Sequence, residues 1–128
     1  MQKYLISSNF WSLIEPTLLA GSIYIGSSAG AIVAGMDISP AFWKGWDDPG
    51  AAEGVEWNST NLRGRCIVPY SIFPHYDADK HLHLVESKRV ELPHRVRCIP
   101  DDVALICSNE GEEYAMNVDG QIQRSIDE

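Results

Sequence analysis

A chain of 128 residues, 45% hydrophobic and 22% charged, has the composition of one globular domain with enough apolar content for its own core. Its 18 acidic against 10 basic residues leave a net charge of −8, which argues against nucleic acid or an anionic membrane as partner, since both would repel it. No apolar run reaches the ~18 residues of a membrane span, and no basic region with a long apolar stretch marks a signal peptide, so the expected location is the cytoplasm.

In chain order, residues 10–19 read as a helix, with Trp11, Ile14 and Leu18 at near-helical spacing and Pro16 at a kink or in the first turn. Residues 22–25, Ser-Ile-Tyr-Ile, read as a buried strand, and 29–34 as a short helix. Residues 37–60 form a long segment rich in Gly, Pro, Asp and Trp, of a length that in compact domains is usually functional or mobile. Trp43, Trp46 and Trp57 are expected to fasten it to the core, with a place in a substrate cleft as the alternative. Further strands are expected at 66–70, 96–99, 103–107, 113–117 and 121–126, and a helix at 79–91. Val118-Asp119-Gly120 is a tight-turn signal between the last two strands. Nothing divides the chain, so 1–128 reads as a single domain. Cys66, Cys98 and Cys107 are widely spaced in apolar runs, the pattern of buried reduced thiols.

The chemistry centres on Gly26-Ser27-Ser28-Ala29-Gly30, between the expected strand and helix. A serine in such a tight turn needs small neighbours so that backbone can approach backbone. The following helix directs its unpaired N–H groups at the site, where acyl transfer develops negative charge. Downstream, Phe73-Pro74-His75-Tyr76 places a histidine just past another apolar run, and Asp47-Asp48-Pro49 lies between the two motifs. Nucleophile, base and acid are thereby present as Ser28, His75 and Asp48. His81 and His83 alternate with leucines, no metal-ligand spacing occurs, and no cofactor or metal is expected.

Ile23-Tyr24-Ile25-Gly26-Ser27-Ser28-Ala29-Gly30-Ala31 together with Phe73-Pro74-His75-Tyr76 resembles the signatures of the dipeptidase E and cyanophycinase family of serine peptidases. The resemblance implies an α/β fold with a class I glutamine-amidotransferase-like (flavodoxin-like) sheet. It implies Ser28 as nucleophile, His75 as general base and the Ala29 N–H as half of an oxyanion hole. Asp48 best matches the acid, with Asp47 and Glu53 as alternatives. Arg89 stands where the aspartyl-dipeptidase branch carries an arginine for an acidic substrate side chain, although its setting in Glu86-Ser87-Lys88-Arg89 reads first as a solvated helix face. The implied activity is hydrolysis of short peptides, dipeptides with an N-terminal Asp first among them.

Relatives carry further strands ahead of the elbow and a Gly-rich loop with the other oxyanion donor, and nothing matching them precedes Ser28. Those N-terminal strands therefore read as missing. That predicts an open sheet edge, association with a second copy, and, as the alternative function, a folded but catalytically silent family member.

Overall fold

The computed structural model describes residues 1–111 and 113–123. Among these residues four helices come first, and a fifth separates the first strand from the four that follow. The elements are α1 (Gln2–Ser7), α2 (Phe10–Leu19), α3 (Ala29–Ala34), α4 (Pro40–Trp43), β1 (Ser71–Pro74), α5 (Ala78–Arg89), β2 (Val96–Ile99), β3 (Val103–Cys107), β4 (Glu113–Asn117) and β5 (Ile122–Gln123), with a 3₁₀ turn at Pro49–Ala51. β1 and β2 pair in parallel through the α5 crossover, with Phe73 opposite Cys98 and Pro74 opposite Ile99. β3, β4 and β5 form an antiparallel meander. The expected strand at 121–126 appears as Ile122–Gln123, and its last three positions lie outside the described residues.

β1 is the centre of the molecule. Ser71, Ile72 and Phe73 are all buried, as befits a strand covered on both faces. α3 supplies Ile32, Val33 and Ala34 to this core, joined by Ile38. Leu5, Trp11, Phe42, Trp57 and Leu62 pack around it. Ser71 is the polar residue within, and it is satisfied: its hydroxyl accepts from the Asp37 N–H (3.0 Å) and pairs with His94 Nε2 (2.7 Å).

Residues 66–70 do not form the expected strand. Their neighbourhood is engaged in closing α3: Arg65 N donates to Val33 O (2.7 Å), Cys66 N to Gly35 O (2.9 Å) and Ile67 N to Ala34 O (2.8 Å). A helix leaves its last carbonyls without intrahelical partners, and this passing segment satisfies them, so its donors are not available to a ladder. The passage is so close that a Cβ on Gly64 would lie 2.1 Å from Gly35 O. The strand begins at Ser71 instead.

Residues 22–27 also differ from expectation. They run outside any ladder among the described residues, and Ile23 and Ile25 are 86% and 88% exposed. α2, which leads into them, has the expected bounds but buries none of its residues. The cysteines are free. Cys98 is partly buried, and burial pushes its thiol up to about 11, while Cys66 and Cys107 are exposed rather than interior.

Candidate active site

Ser28 stands at φ 50°, ψ −116°, immediately before α3. This is a backbone region that L-residues enter only when their surroundings enforce it. Two contacts do so. A Cβ on Gly26 would lie 2.6 Å from Gly30 O and 2.9 Å from Ala31 N, so glycine there lets the incoming chain lie flat on the first turn of α3. The Tyr24 hydroxyl donates to Gly30 O (2.7 Å) and ties the same two stretches together. Ser28 O accepts from Ala31 N and Ile32 N, which starts the helix beneath the side chain. Ala29 is the first residue of α3, so its N–H has no acceptor within the helix and is free to meet an anion.

His75 follows the last residue of β1 and has a left-handed backbone, φ 54°. Its Nε2 lies 2.9 Å from Ser28 Oγ, and its Nδ1 lies 2.5 Å from Asp101 Oδ1. Asp101 sits in the turn between β2 and β3. The parallel pairing of β1 with β2 brings the residues after their C-terminal ends together, and a backbone bond from Tyr76 N to Ile99 O (3.0 Å) fastens the two loops. Serine, imidazole and carboxylate thus form a continuous chain of hydrogen bonds. Its outer end is wet: the His75 side chain is 39% exposed and that of Asp101 79%.

The carboxylate on His75 is therefore not the expected Asp48. Asp48 turns back on its own chain, accepting from Gly50 N (2.8 Å) at the start of the 3₁₀ turn. An Asp before Pro-Gly favours such a local cap over a distant partner. Neither Asp47 nor Glu53 contacts His75; the backbone carbonyl of Glu53 accepts from Lys3. Arg89 is not drawn into the site either. It closes the far end of α5, about 16 Å along the axis from the end that starts beside His75. Cations in a last helical turn favour the negative end of the helix dipole, and Arg89 additionally draws down the Cys98 thiol.

Lys44, not singled out in the sequence, and Trp46, for which a substrate cleft was the alternative place, border the constellation. Lys44, at the C-terminal cap of α4, donates from Nζ to Pro74 O (2.5 Å) and His75 O (3.1 Å). Trp46, 68% exposed, has its ring 6.3 Å from those of both His75 and His81. The other two tryptophans anchor the long segment: Trp43 packs on Phe73, and Trp57 packs on Phe42 and donates to Pro49 O. A cavity of about 740 Å³ opens beside this hydrogen-bond chain, bounded by Ile23, Ile25, Ile72 and Leu105, with Ser28, His75 and Asp101 on its wall.

The sequence profile of peptidase family S51 matches residues 1–114, which is most of the chain and includes both the elbow and the histidine. This chain belongs to peptidase family S51. Its fold is similar to the crystal structure of a Listeria monocytogenes EGD-e protein assigned as a peptidase E, with a TM-score of 0.69 and 22% identity. That similarity covers 88% of this chain and 52% of the other, so the S51 chain spans about half the length of the structure it matches. No curated protein matches the sequence. The mixed α/β architecture agrees with that structure, with small sheets where a single flavodoxin-like sheet was expected. Among the described residues no helix is long and apolar enough to cross a membrane.

Proposed function

We propose that the chain hydrolyses short peptides through Ser28, His75 and Asp101. The observation that carries this reading is the unbroken Oγ–Nε2 and Nδ1–Oδ1 hydrogen-bond chain at an elbow serine with φ 50°. His75 Nε2 accepts the Ser28 proton as Oγ attacks the substrate carbonyl, and the Ala29 N–H receives the oxyanion. Imidazolium then protonates the leaving amine, and water, activated by the same imidazole, releases the acid from the acyl-enzyme. Asp101 holds the imidazole with Nδ1–H directed away from the serine and supports its positive charge.

Dipeptides with an N-terminal Asp remain the substrates to test first, on the strength of the family alone. Arg89, the cation expected to select them, lies in the last turn of α5. Steady-state kinetics on Asp-Leu and Ala-Leu check this preference: equal specificity constants end it.

Intact-mass labelling with a fluorophosphonate tests the nucleophile. One adduct forms on the unmodified protein and none on Ser28→Ala of unchanged circular dichroism. An adduct that persists in the variant refutes the assignment. A second reading, a folded member that hydrolyses nothing, is favoured by the exposure of the Ile23–Ile25 stretch and of Asp101. A folded protein that takes up no label decides for it.

A further inference from the structure

We infer that Lys44 is the positioning residue for His75, holding its left-handed backbone so that the imidazole bridges Ser28 and Asp101. The inference rests on the proposed catalytic reading of that site.

A non-glycine residue with positive φ reverses the peptide planes on either side of it and persists only where neighbours hold it. At His75 the carbonyls of Pro74 and His75 converge on one point, and that point is Lys44 Nζ, at 2.5 Å and 3.1 Å. A single ammonium thus grips the chain on both sides of the strained residue. A cationic donor suits this task because each carbonyl oxygen then accepts a charge-assisted bond from the same side chain.

The cation is itself fixed. Nζ lies 4.3 Å from the Trp46 ring centroid and 4.4 Å from that of Phe73, held between two π faces. Among the described residues it makes no ion pair, so it is not spent on a carboxylate. Asp101 nevertheless acts on it through space and favours its charge. The same Trp46 ring stands beside the His75 imidazole. Lys44 and Trp46 together therefore meet both the backbone and the ring of His75.

A lysine that merely capped the end of β1 would contribute to stability and leave the imidazole unaffected. The test uses the full chain as Lys44→Met, Lys44→Gln and Lys44→Arg. Three readouts are taken: melting temperature, the concentration dependence of fluorophosphonate labelling, and the ¹H–¹³C spectrum of ring-labelled histidines with His75 assigned through His75→Gln. In Lys44→Met the maximal labelling rate should fall about tenfold with the half-saturating concentration held within about twofold, and Lys44→Arg should recover most of the rate. The His75 resonances should move while those of exposed His83 stay.

Unmoved His75 resonances in Lys44→Met overturn the inference, as does an arginine variant as slow as the methionine one. If the unmodified protein takes no label, the catalytic reading fails, and the His75 spectrum alone judges Lys44. If Lys44→Met does not fold, Lys44→Gln, which keeps donors without the charge, is judged by the same criteria.

Discussion

The serine and the histidine of the site reach it from two unlike surroundings. His75 extends a strand whose Phe73 is fully buried between helices and rings. Ser28 ends a stretch whose Ile23 and Ile25 face solvent and whose backbone joins no ladder among the described residues. Packing energy thus holds His75 in place, and backbone geometry holds Ser28. On the serine side the restraints are few and local: the Gly26–Gly30 approach, the Tyr24 bond and the first turn of α3. A site can evidently be aligned with one half resting on a core and the other on a hinge of small residues.

The contrast can be broken from either side. The largest effect is expected from Phe73→Ala, which empties the core under His75 and should cost about 3–5 kcal/mol in a denaturant titration. Next comes Gly26→Ala. Its Cβ would meet backbone at 2.6 Å, so the elbow cannot close, and fluorophosphonate labelling should vanish while most of the core signal in circular dichroism survives. Gly30→Ala, with only the Tyr24 hydroxyl 4.0 Å away, should label normally. If both glycine variants label, geometry is not what holds Ser28.

Asp101→Asn should lower kcat by orders of magnitude with little change in KM, since an amide cannot support the imidazolium. Asp48→Asn should change neither, because Asn caps a turn as well as Asp does. The reverse pattern would return the acid to the long segment.

The pH profile sharpens the histidine side. Burial lowers the Lys44 pKa from the ordinary 10.5, against Asp101 and Cys98, which raise it. Cys98 stays a neutral thiol up to about 11, and His81, lowered by burial and by Lys44 itself, is uncharged on the alkaline side. The Lys44 charge is therefore present at neutral pH and is lost as pH rises through its lowered value. Labelling should decline at a lower pH than an ordinary lysine would dictate, and Lys44→Arg should move that decline upward. The smallest effect is expected from Ile25→Ser, within about 0.5 kcal/mol in the same titration as Phe73→Ala.

Much of this was readable in the residues. The Gly-Ser-Ser-Ala-Gly string between an apolar stretch and a helix-forming one marked the tight turn into α3 locally, because its requirement for small residues is written at adjacent positions. Helix 10–19 and strands 96–99, 103–107 and 113–117 followed from periodicity. Asp101 was missed for a different reason. Its place beside His75 depends on the pairing of β1 with β2, a long-range contact with no local mark. The available signal was the pair Asp101-Asp102 one proline past the strand at 96–99, where the ends of neighbouring parallel strands converge. The strand at 66–70 was misplaced because its donors serve the end of α3, and the Ser22–Ile25 pattern shows only what the stretch would do if covered.

The way Ser28 is held also bears on how this protein should respond to heat. Regions with few buried contacts open in sub-global fluctuations at a fraction of the cost of unfolding the whole domain. Opening of residues 22–28 would carry the hydroxyl away from His75 while β1, α3 and α4 stayed folded. Catalytic competence and the folded state then become separate thermal events. Loss of labelling should precede the main melting transition, and the amides of residues 23–27 should exchange with deuterium far faster than those of Ile72 and Phe73.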